Sequence, residues 1–346
     1  MESSVVTINT GQTMPRLGLG TFQVTKKGQV YAAVVAAVKA GYRLIDCASG
    51  YGNQSEIGQA LKDVMEDGIV TREELFIVSK LFQTEHDWEG DGSRCHEALE
   101  RTLEELQLDY LDLYLMHWPF AFEQRKLESP PGRRRPLRLK DGTPNPIWNI
   151  RMEYLQTWRT METMTQNINK TNTTVKAIGV SNFTCEQLQH LIDQTTIVPA
   201  VNQIEMHPYF NPTNLSNYCS KMGIQIMAYS PLGSSNPKGP PNAGGNTLLT
   251  HPTVIHISEQ IHRTPAQVLI RWSLQKGAIS IPKSSNPDRI QQNFQVFGWS
   301  LDTNHMQKLD NLHCNHRYFI SYLKRPGNNL LWHDSVIEQK LDELLK

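Results

Sequence analysis

Eight times between residues 17 and 282 a short apolar run gives way to a helical pattern. The runs close near Gly20, Asp46, Lys80, His117, Ser181, Glu205, Tyr229 and Pro282. Strands that alternate with helices are parallel, because the return to the sheet needs a crossover long enough to hold a helix. The last run is followed by its own helical pattern from Asn286, and no break in composition divides the series. The count predicts a closed parallel (β/α)8 barrel, with an open doubly wound sheet as the competing arrangement. Residues 1–346 are read as one domain.

Local signals fill in the rest. Asn9-Thr-Gly11 between two extended pieces predicts an N-terminal hairpin. From Gln29 to Ala40, residues Val30, Ala33, Val34, Ala37 and Val38 fall at helical spacing, and Gly41 stops the helix. From Ser93 to Leu106 the pattern is amphipathic. Thr71 and Glu74 have capping-box spacing, and Thr264 before Pro265 marks another helix start. Residues 119–150 read as an unusually long loop, with Pro130-Pro131 and Asp141-Gly142; the basic run Arg133, Arg134 and Arg135 is its solvated tip. Residues 167–174 and 233–250 also look inserted, and the tail 313–346 follows no pattern.

Composition removes several classes of partner. Lysine plus arginine is 34 and aspartate plus glutamate is 34, which calls for neither nucleic acid nor an anionic membrane. No run approaches the ~20 apolar residues of a membrane span. The start, Met-Glu-Ser-Ser-Val-Val, does not read as a secretory signal. Five scattered cysteines fit free thiols in a reducing compartment, so a soluble cytoplasmic protein is expected.

In a β/α barrel the carboxyl ends of the strands gather at one rim. Asp46, Lys80 and His117 end the second, third and fourth runs, and Tyr51 lies in the loop after Asp46, between Gly50 and Gly52. A free tyrosine, with pKa ~10, is a poor acid near neutrality. An ammonium within ~4–6 Å favours the phenolate. Lys80 supplies that charge, Asp46 holds Lys80 in place, and His117 orients a carbonyl oxygen beside the phenol. A lone Asp, Lys or His at a strand end is more often structural. Four with complementary roles at consecutive ends make a proton donor for a carbonyl that is becoming an alkoxide.

Other chemistries lack their signatures. No Gly-x-Gly-x-x-Gly follows a strand, and there is no phosphate-binding Gly-x-x-x-x-Gly-Lys-Ser/Thr. His313-Cys-Asn-His316 has ligand-like spacing but stands away from the strand ends, so no metal is expected. No Gly-x-Ser-x-Gly elbow marks a serine hydrolase.

The chain resembles the aldo-keto reductases from about Val5 to Leu312. The likeness is carried by Gly-Tyr-Arg-Leu-Ile-Asp46-Cys-Ala-Ser-Gly-Tyr51-Gly-Asn, Val-Ser-Lys80-Leu and Leu-Met-His117-Trp-Pro. It continues in Gly-Val-Ser181-Asn182-Phe, Asn-Gln203-Ile-Glu-Met-His-Pro, Ala-Tyr229-Ser-Pro-Leu-Gly and Ile-Pro-Lys283-Ser284-Ser-Asn-Pro-Asp-Arg289-Ile. The resemblance implies a TIM barrel whose tail covers the pocket, and reduction of aldehydes or ketones by NADPH. It implies Tyr51 as proton donor, tuned by Lys80 and Asp46, with His117 orienting the carbonyl. Ser181, Asn182 and Gln203 would hold the nicotinamide carboxamide and Tyr229 would stack on its ring. Lys283, Ser284 and Arg289 would take the 2′-phosphate, with Thr21, Ser230, Leu232 and Asn293 as further cofactor contacts.

The substrate end of this pattern has its own features. Phe22 and Phe82 replace tryptophans frequent in the family, while Trp118 remains, giving an aromatic pocket that is somewhat wider. Gln292 stands where an acidic residue usually pairs with adenine. The substrate is expected to be a small or sugar-derived carbonyl, and the protein a monomer or weak homodimer. A catalytically weak NADP(H)-sensing protein on the same barrel is the alternative from another class, and a metal-dependent barrel hydrolase a third.

Overall fold

In the computed structural model the described residues are 3–24, 26–87, 90–124, 148–151, 154–165, 174–234, 240 and 246–319. The arginine run at 133–135, most of the 167–174 segment, most of 235–245 and the tail from 320 lie outside them.

Strands β1 (Val5–Thr7) and β2 (Thr13–Pro15) pair antiparallel as the expected hairpin, with Gly11 at φ 83° in the turn. The barrel begins with β3 (Gly18–Gly20), β4 (Leu44–Asp46), β5 (Phe76–Leu81) and β6 (Leu113–Met116). A second hairpin, β7 (Ala121–Gln124) and β8 (Trp148–Arg151), interrupts the series. The barrel resumes with β9 (Ile178–Ser181), β10 (Val201–Glu205), β11 (Gln225–Tyr229) and β12 (Ile279–Ile281). The eight barrel strands are hydrogen-bonded in chain order, all parallel. Parallel bridges Leu17–Ser280 and Gly20–Lys283 bring the last strand against the first and close the cylinder. A Cβ on Gly20 would sit 2.8 Å from the carbonyl oxygen of Ile281, so closure here requires glycine.

Helices fill the crossovers. α1 (Gln29–Ala40), α2 (Gln54–Glu66) and α3 (Ser93–Leu106) separate the first four barrel strands. α4 (Tyr154–Thr165), α5 (Cys185–Gln194) and α6 (Thr213–Lys221) follow, then α7 (Pro252–Gln260) and α8 (Pro265–Gln275) before β12. α9 (Pro287–Phe294) and α10 (Thr303–Asp310) come after it. Each strand is buried on both sides, and alternate residues serve two cores. Leu44, Val78, Leu115, Val201, Met227 and Ile279 pack with one another and with Ile8 and Met14 of the hairpin. Asn9 Nδ2 donates to the carbonyl of Pro199, just before β10, which places that hairpin at the amino end of the barrel. Ile45, Ile77, Tyr114, Val180 and Ala228 point outward and join the helices.

Gly41 ends α1 at φ 107°, and Thr264 caps α8 with a reciprocal bond to Gln267. Two sequence expectations are corrected. Thr71 N does donate to Glu74 at 2.8 Å, but β5 starts at Phe76, leaving room for a turn and no helix. The 119–150 connection is not loop throughout, since β7 and β8 pair across it. Among the described residues no helix is long and apolar enough to cross a membrane.

Candidate active site

The rim is built around Lys80. Its side chain, fully buried, comes from β5 and reaches the mouth of the barrel. Nζ donates to both Asp46 oxygens at 2.7 and 2.8 Å and to the Cys47 carbonyl at 2.8 Å. It lies 3.2 Å from the Tyr51 hydroxyl. Burial pulls the Lys80 ammonium below the usual lysine range, and the Asp46 carboxylate beside it opposes that pull. Asp46 also accepts from Gln203 Nε2 at 2.7 Å, across the mouth from β10.

Tyr51 rides on a single 3-10 turn, 49–51, directly after β4. Ser49 fastens that turn by sharing its one hydroxyl proton between the Lys80 carbonyl at 3.2 Å and Glu85 at 3.3 Å, and Arg101 holds Glu85 at 2.6 Å. His117 follows β6, its backbone N donating to Leu81 at 3.1 Å. Its ring meets that of Tyr51 at 5.8 Å, edge to face. The four predicted residues therefore converge, with Lys80 behind the surface and Tyr51 and His117 facing the cleft.

The cleft encloses about 380 Å³. At one end Phe22, Phe82 and Trp118 surround Tyr51 and His117; at the other lie Lys283, Ser284, Arg289 and Asn293. Ser181, Asn182, Gln203, Tyr229, Ser230 and Leu232 line the stretch between. Asn182 Nδ2 donates to the His117 carbonyl at 3.1 Å and to Ser181 Oγ at 3.0 Å, and its Oδ1 accepts from the Tyr229 hydroxyl at 2.9 Å. Asn182 and Ser230 hold left-handed backbone, φ 65° and 51°, which side-chain-bearing residues adopt mainly where surrounding structure imposes it.

Thr21 lies buried between the cleft-lining Gly20 and Phe22, and its hydroxyl donates to the Asp46 carbonyl at 2.7 Å. Sequence reasoning also passed over several residues that matter here. Cys47 contributes through its carbonyl, and Ser49 through its hydroxyl, a contact set by tertiary placement of the β5 loop. Phe319 enters the pocket from the patternless tail, with ring centroids 5.7 Å from Phe22 and 5.6 Å from Tyr229. Only a spatial contact could have found it.

The donor set suits an extended dinucleotide phosphate. Two cations and a hydroxyl at the start of α9 match a phosphomonoester, a row of amides and hydroxyls matches a carboxamide, and a rim tyrosine offers a flat face.

The profile of the Aldo/keto reductase family matches residues 16–313. Aldo-keto reductase family 1 member A1 of Mus musculus is 42% identical over 331 residues, covering 95% of both chains. The Homo sapiens protein of that name is 41% identical with the same coverage. Among solved structures, an aldose reductase from Schistosoma japonicum has a TM-score of 0.78 at 36% identity, with 93% of this chain and 95% of that one covered. A Bombyx mori aldo-keto reductase in complex with NADP has a TM-score of 0.75 at 30% identity, covering 94% and 98%. With its fold and nearly its whole length in common with these proteins, the chain belongs to the aldo/keto reductase family.

Proposed function

We propose that the chain reduces an aldehyde or ketone to its alcohol using NADPH, with Tyr51 as the proton donor. The observation that carries this reading is the contact of the Lys80 ammonium, 3.2 Å from the Tyr51 hydroxyl, at the aromatic end of the cleft. NADPH, when bound, supplies the hydride. Gln203, Asn182 and Ser181 would hold its carboxamide, Tyr229 its ring face, and Lys283, Ser284 and Arg289 its 2′-phosphate, with Thr21, Ser230, Leu232 and Asn293 as further contacts.

The chain's own residues handle the proton. A carbonyl oxygen placed between Tyr51 and His117 accepts a hydrogen bond from each, which draws electrons from the carbonyl carbon. As the carbon is reduced, charge gathers on that oxygen and the phenolic proton moves to it. The phenolate left behind faces the ammonium of Lys80, which two Asp46 oxygens keep charged and aimed. Phe22, Phe82 and Trp118 keep water from the exchange and favour a small carbonyl with an apolar or sugar-derived substituent.

The test is NADPH oxidation by the purified protein against a panel of aldehydes, uronates and ketones. Turnover of at least one class is expected. Tight NADPH binding without oxidation of any of them would replace this reading with a cofactor-sensing role.

A further inference from the structure

We propose that Glu205 is a positioning residue for substrate: it latches the chain at 317–319 so that the Phe319 ring forms a wall of the carbonyl pocket. The inference rests on the carbonyl-reductase reading for its choice of substrates, while the latch itself rests on geometry.

Glu205 ends β10 at the rim and is fully buried. A carboxylate taken out of water must be matched by donors, and here three of the groups facing it come from the tail. Oε1 accepts from the backbone N of Tyr318 at 2.7 Å, and Oε2 from the backbone N of Phe319 at 3.2 Å. Arg317 Nε stands 3.9 Å from Oε2. The fourth group is His207, whose Nε2 is 3.0 Å from Oε1. Phe210 N donates to the His207 carbonyl at 2.8 Å and lies 3.2 Å from Nδ1, which holds the ring with Nε2 turned to Glu205. Burial pushes the Glu205 carboxyl upward, but the bond from His207 and the charge of Arg317 outweigh it and hold it below the ordinary range.

The consequence reaches the reacting end of the cleft in two steps. Phe319 packs edge-on against Phe22 at 5.7 Å, and Phe22 packs on Tyr51 at 5.0 Å. Two of the latch bonds go to backbone N–H groups, so the carboxylate fixes where the tail runs and leaves residue 319 to decide what the pocket accepts. Substrates with a ring beside the carbonyl gain from that wall; a two- or three-carbon aldehyde does not reach it.

Glu205→Gln, Phe319→Ala and the double variant test this. Gln puts an NH2 where a backbone N–H now donates, so one charge-assisted bond is lost and a donor faces a donor. KM for an aromatic aldehyde is expected to rise about tenfold in each variant and no further in the double, with a change below about twofold for a short aliphatic aldehyde. Trypsin cleavage after Arg317, a readout independent of turnover, is expected to accelerate about tenfold in Glu205→Gln. Wild-type selectivity or a wild-type nicking rate in that variant overturns the proposal. Should Glu205→Gln fail to fold, unchanged selectivity in Phe319→Ala, a half-buried side chain, overturns it alone. A wild-type protein that reduces no aldehyde defeats the functional reading instead, and the trypsin comparison still judges the latch.

Discussion

Lys80 is a cation with no exposed surface, and three oxygens within 2.8 Å explain how the fold tolerates it. Removing one partner of such a buried pair costs roughly 3–5 kcal/mol, so Asp46 and Lys80 variants mix stability with function. Tyr51 is the cleaner probe, because taking its hydroxyl away leaves the Lys80–Asp46 pair intact. Gly50 shows a different kind of constraint. A Cβ there would sit 2.8 Å from the Phe82 ring and 3.5 Å from His117, so glycine lets the ring approach the wall formed by Tyr51 and His117. Gly50→Ala should therefore push Phe82 against His117, whose ring is 6.2 Å away, and raise KM for bulky aldehydes about tenfold while NADPH affinity stays unchanged. Steady-state kinetics with matched large and small aldehydes would check it, and equal changes for both sizes would count against it. The tetrad was legible in the sequence because Asp46, Lys80 and His117 sit within one residue of their strand ends. Ser49, Gly50 and Phe319 were not, because their roles depend on what another loop brings opposite them.

At the scale of elements, the 3-10 turn 83–85 and the residue after it carry an unresolved polar burden. His86 is fully buried, and among the described residues neither ring nitrogen has a hydrogen-bond partner. Burial alone pulls its pKa to about 3. The folded state thus keeps the imidazole neutral, while the unfolded chain takes up a proton below about pH 6.5. The contribution of neutral His86 is fully present above that pH and is lost progressively as pH falls towards 3. His86→Leu should remove this acid sensitivity and leave stability at pH 7 unchanged or about 1 kcal/mol higher, since an unpaired polar group is replaced by an apolar one. Melting temperatures at pH 7 and 5 would decide it; a parallel fall in both proteins would mean another group dominates. The carboxyl ends of the barrel strands and the helices at Gln29–Ala40 and Ser93–Leu106 were readable to within a residue because the apolar pattern and the turn residues agree. The β7–β8 hairpin was hidden because Ala121–Gln124 and Trp148–Arg151 are four residues each and are separated by 23 residues dominated by turn formers.

Across the whole molecule, one cleft carries aromatic side chains at one end and cations at the other. The aromatic end around Tyr51 and the cationic end at Lys283 and Arg289 open on the same cleft, lined by strand ends and the segments that follow them. This division predicts that Lys283→Ala with Arg289→Ala weakens NADPH binding about tenfold or more and leaves NADH binding unchanged, since only NADPH carries the 2′-phosphate. Fluorescence titrations with both nucleotides would show it, and equal weakening would place the phosphate elsewhere. The cationic end of the cleft was legible because Lys283, Ser284 and Arg289 fall within one short segment; the aromatic end was less so, because its walls come from four separate parts of the chain.

The assignment of Tyr51 as the proton donor stands or falls on one comparison, wild type against Tyr51→Phe, reading NADPH oxidation with a reduced aldehyde and NADPH affinity in the same preparation. A fall in kcat of about 10²–10⁴ with unchanged NADPH affinity is predicted, the size expected for a lost general acid. Turnover within about twofold of wild type would contradict it and move the proton to another group on the rim.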